Sequence, residues 1–364
     1  MNRKCTLLIT HACNLNCVYC YERHKSCAVM PFETARRIVG DELRCTAASE
    51  RYSGVDFHFL GGEPLLNFDL IRALCEWAWS ETREAPFHFY VITNGTLLDA
   101  PRREWFEYHR DRITVEMSVD GLDEMHRINR GCSVYELPVE WVRRCWPGAR
   151  FKMTVSRQTL PGFAESIIRL VGRGYEVLAS LAVGERWTDA DVAEYARQWA
   201  RLSAHYLMGG DGTMWRQLLK SIDPLFDASC VQDKCCGSGD SAVTYDVDGE
   251  LYPCVIFTSL VFGRDIRGEL KNVRFDDPAA FADPICAGCF IRNLCKTCYG
   301  FNLRERGTLA ERDKSVCRMH RTEILAVCTF QRDLLRNFAR ERELTGPESG
   351  RLRQAEAACA ALNE

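Results

Sequence analysis

One stretch near the N-terminus reads His11-Ala12-Cys13-Asn14-Leu15-Asn16-Cys17-Val18-Tyr19-Cys20, and it follows the apolar run Thr6–Thr10. Three thiolates on one short loop can hold three irons of a 4Fe–4S cluster and leave the fourth iron without a protein ligand. A small molecule can then chelate that open iron and receive an electron. The alternative is a zinc knuckle with His24 as a fourth ligand, because structural zinc sites are closed tetrahedra.

Composition narrows the class of protein. The chain has 364 residues, 20 cysteines and a formal net charge of −3. This length predicts two domains, and the nearly balanced charge gives no argument for a nucleic-acid or membrane partner. The N-terminus lacks the apolar segment of a signal peptide, and no apolar run approaches the roughly 18 residues of a membrane span. So many cysteines without an export signal indicate metal ligation in a reducing cytoplasm.

Short β-branched runs alternate with amphipathic stretches in the first half, which is the pattern of a parallel α/β sheet. The predicted strands are Thr6–Thr10, Val55–Leu60, Phe87–Thr93, Ile113–Ser118, Phe151–Val155 and Val177–Val183. The predicted helices include Pro31–Arg44, Asp69–Trp79, Ala100–His109 and Pro161–Gly172. Thr188 and Asp191 have the spacing of a helix cap and predict a further helix there. About six such units are compatible with a partial (β/α)6 barrel, whose functional loops follow the C-terminal ends of the strands.

The predicted domain boundaries follow shifts in composition. A barrel core is expected over residues 1–190, a helical linker over 191–225, a cysteine-rich domain over 226–330, and a C-terminal helix with a frayed tail over 331–364. The tail is expected because Gly346, Pro347 and Gly350 interrupt an Arg- and Glu-rich helical pattern.

The Cys13 loop, with an aromatic residue before its last cysteine, resembles the signature of the radical S-adenosylmethionine (SAM) superfamily. In that family the open iron takes the amino and carboxylate groups of SAM, and reduction releases a 5′-deoxyadenosyl radical. After the second strand, Gly61, Gly62, Glu63 and Pro64 are similar to the family's GGEP motif, whose backbone receives the SAM amino group. Glycines allow a close backbone approach, and proline fixes the direction of the chain. The two motifs in this order argue against the zinc alternative.

Polar residues at the ends of the third and fourth strands resemble further segments of peptide-modifying radical SAM enzymes. Asn94 lies in a Thr-Asn-Gly segment, and Ser118 and Asp120 lie in a Ser-Val-Asp-Gly segment that precedes His126 and Arg130. The resemblance implies Ser118 and Arg130 as SAM contacts, since a guanidinium fork suits a carboxylate. Asn94 and Asp120 are further candidates, although Asn-Gly and Asp-Gly are also common turn dipeptides. The family usually has Asp after that histidine, where this chain has Arg, which leaves the role of His126 open.

A second set of cysteines occupies the last third of the chain, in an order that resembles the SPASM domain. That domain is the auxiliary-cluster module of radical SAM peptide and protein maturases. The resemblance implies a first auxiliary cluster on Cys230, Cys236, Cys254 and Cys298, and a second on Cys286, Cys289, Cys295 and Cys317. Cys235 leaves the first set open by one residue, and the last cysteine pair is one residue shorter than the family spacing. A pair of zinc ribbons is the alternative reading of such pairs.

The resemblance implies three 4Fe–4S clusters, SAM, and an external one-electron donor such as flavodoxin or ferredoxin. The leading hypothesis is an enzyme that abstracts a hydrogen from a ribosomally made peptide and forms a thioether or carbon–carbon crosslink. The chain starts at the first barrel strand, so we expect leader-peptide binding on another surface or a separate protein. A candidate surface for an acidic leader is Arg332, Arg336, Arg340 and Arg342, although a solvated helix face is the simpler interpretation.

Three alternatives stay open. An anaerobic sulfatase-maturating enzyme forms formylglycine with the same architecture, but that family has an Asp base where this chain has Val255. A peptide epimerase needs a thiol that returns a hydrogen, and Cys27 and Cys328 are candidates for redox or hydrogen-donor thiols. A non-catalytic Fe–S or zinc scaffold has no use for a vacant ligand site. The sequence assigns no catalytic base.

Overall fold

The computed structural model describes residues 1–81, 85–210, 213–227, 234 and 236–363. Its strands are β1 (Arg3–Thr10), β2 (Val55–Gly61), β3 (Phe87–Thr93), β4 (Ile113–Met117), β5 (Arg150–Val155), β6 (Glu176–Leu181), β7 (Ala242–Tyr245) and β8 (Leu251–Tyr252). Its helices are α1 (Phe32–Ala47), α2 (Phe68–Ser80), α3 (Ala100–Tyr108), α4 (Asp123–Arg130), α5 (Val139–Cys145), α6 (Phe163–Gly172), α7 (Asp189–Leu207), α8 (Ser259–Phe262), α9 (Arg267–Leu270), α10 (Tyr299–Arg306), α11 (Lys314–Glu341) and α12 (Gly346–Asn363). Each strand predicted from the sequence is present within three residues at either end.

The chain divides into two compact units, and their boundaries differ from the predicted ones. Unit 1 comprises residues 1–153 and 237–276, and unit 2 comprises residues 154–236 and 277–364. Residues 237–276 were expected in the cysteine-rich domain, but they belong to unit 1 because β7 pairs in parallel with β1. Helix α7 was expected in a linker, but it is part of unit 2, where it packs against α6 and α11.

A six-stranded sheet forms the centre of unit 1, in the order β4-β3-β2-β1-β7-β8. Strands β1 to β4 and β7 are parallel, and β8 is antiparallel to β7. Side chains alternate between the two faces of a strand. One face carries the fully buried Cys5, Leu7, Phe57, Phe89 and Val115. The alternate positions carry the polar residues Lys4, His58, Tyr90 and Glu116. The predicted mixed α/β class with a parallel sheet is confirmed.

The carboxyl ends of β1 to β4 meet at one edge of this sheet because the strands are parallel. The register places Thr10 opposite Gly61, and Thr93 opposite Met117. The loop after β1 carries the three N-terminal cysteines, and the loops after β2, β3 and β4 carry Gly62, Asn94 and Ser118. The motifs identified in the sequence therefore lie at one edge of the sheet.

The C-terminal segment of unit 2 is a helix, so the predicted frayed tail was wrong. Helix α12 packs against α11 and buries a stripe of small and apolar side chains: Ala355, Ala358, Cys359 and Leu362. Gly346 and Pro347 lie in its first turn, where proline is tolerated because its missing N–H has no helical partner anyway. The Thr345 N–H donates to Glu348 Oε2 at 2.8 Å and caps this end.

The predicted cap of α7 is present. The Thr188 N–H donates to Asp191 Oδ2 at 2.7 Å, and the Asp191 N–H donates to Thr188 Oγ1 at 3.3 Å. In the described part of the chain, no helix combines the length and the apolar character needed to cross a membrane.

Candidate metal and cofactor site

Cys13, Cys17 and Cys20 lie partly buried on the loop between β1 and α1. Burial raises the pKa of all three thiols, to about 11 for Cys17. Repulsion between their thiolate charges raises the pKa values of Cys17 and Cys20 further. Metal binding to these thiols would therefore displace protons. Among the described residues, no three His, Cys, Asp or Glu side chains converge on a single-ion site. A 4Fe–4S cluster does not require such convergence, since each thiolate binds its own iron.

The backbone after β2 docks directly onto this cysteine loop. The Gly62 N–H donates to Thr10 O at 3.1 Å, and the Glu63 N–H donates to Ala12 O at 2.8 Å. A Cβ atom on Gly62 would lie 2.3 Å from Ala12 O and 2.8 Å from Cys13 Cβ, which is too close for any side chain. Only glycine at this position lets the two segments meet, and their contact fits a cluster held between the cysteine loop and the Gly62 backbone.

The Glu63 side chain is buried and forms hydrogen bonds with the neighbouring loops. Its carboxylate accepts hydrogen bonds from Thr93 Oγ1 at 2.6 Å, from the Asn94 N–H at 2.8 Å and from the Leu65 N–H at 3.1 Å. Burial raises the pKa of Glu63, and these hydrogen bonds oppose that rise. The side chain therefore joins the end of β2 to the end of β3.

The Asn94 side chain connects the end of β3 to the cysteine loop. Its Nδ2 donates to Asn14 Oδ1 at 2.9 Å, and its Oδ1 accepts from the Thr96 N–H at 3.0 Å. Asn14 stands between Cys13 and Cys17 in the sequence. The Asn94 side chain thus holds the loop, and its predicted SAM contact stays a prediction.

Asp120 is fully buried and ties the cysteine loop to the end of β4. Its Oδ2 accepts from Arg130 Nε at 2.8 Å and from the Tyr19 hydroxyl at 2.6 Å. The Arg130 guanidinium lies 5.7 Å from the centre of the Tyr19 ring. Burial lowers the pKa of Arg130, but the Asp120 carboxylate outweighs that effect and the net shift is upward. Ser118 donates its N–H to Thr93 O at 3.0 Å, and the SAM contacts of Ser118, Asp120 and Arg130 stay predictions.

His126 positions Asp120, which gives this histidine a role that the sequence left open. Burial lowers its pKa to about 4, so the ring is neutral near pH 7. Its Nδ1 accepts from the Asp120 N–H at 3.2 Å, and its Nε2 lies 3.6 Å from Cys132 Sγ. Arg127, at the position of the family's Asp, pairs on the surface with Asp123 at 2.7 Å. The charge reversal at Arg127 therefore leaves the buried His126 contacts intact.

Sequence reasoning missed a buried pair beside the cysteine loop. His11 Nε2 lies 2.5 Å from Asp246 Oδ1, and Asp246 Oδ2 accepts from Ser259 Oγ at 3.2 Å. Asp246 directly follows β7, so the available signal was a carboxylate at the end of a strand. A carboxylate at that position did not indicate a contact with His11, because the parallel pairing of β7 with β1 had not been predicted.

His24, the fourth ligand of the zinc alternative, packs against the segment that contains α8. Its N–H donates to Leu260 O at 3.1 Å. A Cβ on Gly263 would lie 2.6 Å from His24 Cε1, so the imidazole ring covers the Gly263 backbone.

Four cysteines of the second set come together in unit 2. One cavity of about 220 Å³ is lined by Cys286, Cys289, Cys295 and Cys317. Burial raises the pKa of Cys317 to about 11, with the charges of Cys286 and Cys289 adding to the effect. This donor set fits a 4Fe–4S cluster, which takes four thiolates. It is also the set that the SPASM resemblance implies for the second auxiliary cluster.

The set implied for the first auxiliary cluster is divided. Cys230 and Cys235 lie outside the described residues, Cys254 belongs to unit 1, and Cys236 and Cys298 belong to unit 2. Cys298 lines a second cavity in unit 2, of about 380 Å³. The ligand set of this cluster stays a prediction.

The arginines considered for leader binding make contacts within the chain. Arg332 pairs with Asp333 at 2.8 Å, and Arg336 pairs with Glu356 at 2.7 Å. Arg342 pairs with Glu348, and Arg340 Nη1 lies 3.4 Å from Asn337 Oδ1. These contacts favour a solvated helix face over a leader-binding surface.

Two curated relatives align with the N-terminal part of the chain. The uncharacterized protein MJ0907 of Methanocaldococcus jannaschii is 32% identical over 117 residues, which is 32% of this chain and 38% of that protein. The radical SAM cyclopropyl synthase TigE of Paramaledivibacter caminithermalis is 25% identical over 134 residues, or 33% of this chain and 28% of TigE. The chain thus spans well under half the length of the relatives it matches.

Solved structures share the fold over most of the chain. A structure of anSMEcpe with bound AdoMet has a TM-score of 0.65 at 16% identity and covers 97% of this chain and 99% of its own. Another, with bound AdoMet and the Kp18Cys peptide, has a TM-score of 0.64 at 18% identity and covers 93% and 100%. Streptococcus suis SuiB bound to its precursor peptide SuiA has a TM-score of 0.55 at 16% identity and covers 87% and 76%.

The model of the radical SAM superfamily matches residues 7–145, which include the three N-terminal cysteines, Gly62, Asn94, Asp120 and Arg130. The match covers the second half of β1, all of β2 to β4, and the loops that follow these four parallel strands. This chain therefore contains a radical SAM domain.

Proposed function

We propose that the protein is a radical SAM maturase of a ribosomally synthesised peptide, in which it forms a thioether or carbon–carbon crosslink. The observation that carries the proposal is the cavity lined by Cys286, Cys289, Cys295 and Cys317 in a chain that also has the cysteine loop of a radical SAM domain. Cysteine-ligated auxiliary clusters of this order are typical of peptide and protein maturases. When bound, the N-terminal cluster and SAM supply a 5′-deoxyadenosyl radical that takes a hydrogen atom from the peptide.

The residues of the chain have distinct tasks in this proposal. Cys13, Cys17 and Cys20 would hold the cluster that binds SAM, and the backbone at Gly62 would approach the SAM amino group. Glu63 and Asp120 hold the surrounding loops in place through buried hydrogen bonds. Holding the reactants in a fixed geometry is the main contribution of the protein, because the cofactors perform the bond chemistry.

The relatives support a peptide substrate. TigE is named as a cyclopropyl synthase, and SuiB and anSMEcpe are both solved with peptides bound. The structures share only the fold with this chain at 16–18% identity, so the peptide itself is a proposal. A one-electron donor such as flavodoxin or ferredoxin would be needed to reduce the N-terminal cluster.

A second candidate function is sulfatase maturation, which the likeness to anSMEcpe over 97% of this chain favours. The family's Asp base corresponds to Val255, whose aliphatic side chain cannot accept a proton. Val255 begins a short helical turn after Cys254, and its backbone oxygen accepts from Thr258 Oγ1 at 2.7 Å. The missing base places peptide crosslinking ahead of formylglycine formation.

Incubation with a candidate peptide distinguishes the two functions. We expect a cysteine- or aromatic-rich peptide encoded near this gene to lose two hydrogens per crosslink, seen by mass spectrometry as a decrease of about two mass units. One would leave as the abstracted hydrogen atom and the other as a proton, whose electron would pass to an auxiliary cluster. A peptide carrying a sulfatase maturation motif should yield no aldehyde, because the position of the base is occupied by Val255. Robust formylglycine formation would reverse this ranking, and comparison with Val255→Asp would then show whether the position matters.

The auxiliary site should separate SAM cleavage from product formation. We expect Cys289→Ala to lose iron and crosslinked product while retaining SAM cleavage without product, since the SAM-binding cysteines lie in unit 1. Cys359→Ala, which removes a thiol on α12, serves as the control. Full product formation by Cys289→Ala, measured together with 5′-deoxyadenosine, would contradict a role for this cavity in turnover.

A further inference from the structure

The cavity of the four clustered cysteines in unit 2 is also lined by four arginines, Arg292, Arg312, Arg318 and Arg321, and its lining includes no carboxylate. A 4Fe–4S cluster with four thiolate ligands carries a net negative charge, and reduction makes that charge more negative. Cationic groups around such a cluster therefore favour its reduced form. Reduction potentials of these clusters depend on net charge and on hydrogen bonds to the sulfurs.

Arg312 is held firmly against this cavity. Its Nη2 donates to Phe281 O at 3.0 Å, and its guanidinium lies 5.3 Å from the centre of the Tyr299 ring. Its backbone N–H donates to Asp283 Oδ2 at 2.7 Å, and Asp283 Oδ1 in turn accepts from the Ile285 N–H at 3.0 Å. These contacts fix the guanidinium beside the segment that carries Cys286.

One end of the guanidinium has no acceptor. Arg312 Nη1 is buried without a hydrogen-bond partner in the described chain. A buried N–H on a charged group is costly when unpaired, so its presence indicates an acceptor that the described residues do not supply. The cavity that Arg312 lines also has four cysteines in its wall, and a cluster held by them would bring sulfur acceptors to Nη1.

We propose that Arg312 donates a hydrogen bond through Nη1 to a sulfur of the cluster held by Cys286, Cys289, Cys295 and Cys317, and that it thereby raises the reduction potential of this cluster. The inference rests on the auxiliary cluster of the proposed function. In this role Arg312 is a positioning and tuning residue, because it acts on the cluster and not on the substrate. Contacts outside the ligand set commonly orient the ligands of a metal centre and tune its redox potential.

The test measures the potential of this cluster in the full-length protein. Cys13, Cys17 and Cys20 are first replaced by alanine together, which removes the signal of the N-terminal cluster. Redox titration followed by electron paramagnetic resonance then records the auxiliary signals, and the signal lost in Cys289→Ala is assigned to this cavity. Arg312→Met and Arg312→Lys are compared in that background, with Arg336→Met as a control for loss of an arginine elsewhere in unit 2.

We expect Arg312→Met to shift the assigned signal to a more negative potential at unchanged iron content. Arg312→Lys, which keeps the charge but loses the planar fork, should shift it less. Arg336→Met should leave it unchanged. An unchanged potential in Arg312→Met with full iron would overturn the inference and leave the proposed function standing. If Arg312→Met loses iron, an unchanged potential in Arg312→Lys overturns it instead.

The same experiment reports separately on the proposed function. If Cys289→Ala loses neither iron nor any auxiliary signal, the cavity holds no cluster, and the auxiliary-cluster assignment fails together with the inference. Loss of one signal in Cys289→Ala supports the assignment whatever Arg312 does.

Discussion

Replacing Cys13, Cys17 and Cys20 together by alanine is expected to abolish reductive SAM cleavage and to remove about a third of the iron of the reconstituted protein. Three 4Fe–4S clusters would hold about twelve irons per chain, and in the proposed enzyme these three thiols would hold the cluster whose fourth iron is open to SAM. Alanine supplies no ligand atom, and cysteine thiolates are the usual ligands of 4Fe–4S clusters. Anaerobic iron determination and chromatographic detection of 5′-deoxyadenosine measure both effects.

A double variant of cysteines outside both predicted clusters gives the control. Cys45 and Cys145 are free thiols of unit 1 on α1 and α5, and their joint replacement by alanine should preserve iron and SAM cleavage. Cleavage that persists in the triple variant would contradict the assignment of the loop. Stoichiometric zinc in protein purified without oxygen would contradict it as well, because it would favour the zinc knuckle.

The sequence was sufficient for the features that depend on local order. The strands β1 to β4 could be predicted from short β-branched runs that alternate with amphipathic stretches. The cysteine loop and the Gly62 segment could be predicted because a cluster or a close backbone approach requires particular residues at fixed spacing. Helix α7 was visible from the cap formed by Thr188 and Asp191. In each of these cases the informative residues lie within a few positions of one another.

Features that depend on distant partners were missed. Strand β7 joins the sheet next to β1 although more than 200 residues separate them in the sequence, and the pairing of His11 with Asp246 follows from it. The glycine and proline at the start of α12 suggested a break, because the same residues occur at helix starts and in loops. The contact of the Asn94 amide with Asn14 was likewise not predicted, because only the folded chain brings the two residues near each other.

The ion pair between Arg130 and Asp120 also depends on residues that only the folded chain brings together. The family resemblance implied a guanidinium for the SAM carboxylate, which stays a prediction, but it did not indicate that Arg130 pairs with Asp120, a carboxylate that the Tyr19 hydroxyl also contacts. A charge at a strand end can serve a ligand or a neighbouring loop, and only the geometry of the folded chain distinguishes the two. The pairing leads to a prediction about stability that holds without any cofactor.

Arg130→Met is expected to lower the free energy of unfolding by about 3–5 kcal/mol, because removing one partner leaves the buried Asp120 charge uncompensated. The loss should fall near the lower end of that range, since Tyr19 and Asn129 still donate to the carboxylate. Arg127→Met removes an arginine from the same helix, α4, but its ion pair with Asp123 is exposed, and such pairs contribute little. Urea denaturation of the protein without cluster or SAM measures both variants.

Removing both charges separates the buried pair from other effects of the substitution. In Asp120→Asn/Arg130→Met no unpaired carboxylate remains, so the double variant should be more stable than Arg130→Met alone. A role of Arg130 restricted to binding SAM would predict no such recovery, because stability measured without SAM would not depend on the pair. Equal stabilities of Arg130→Met and Arg127→Met in that measurement would contradict the buried contact between Arg130 and Asp120.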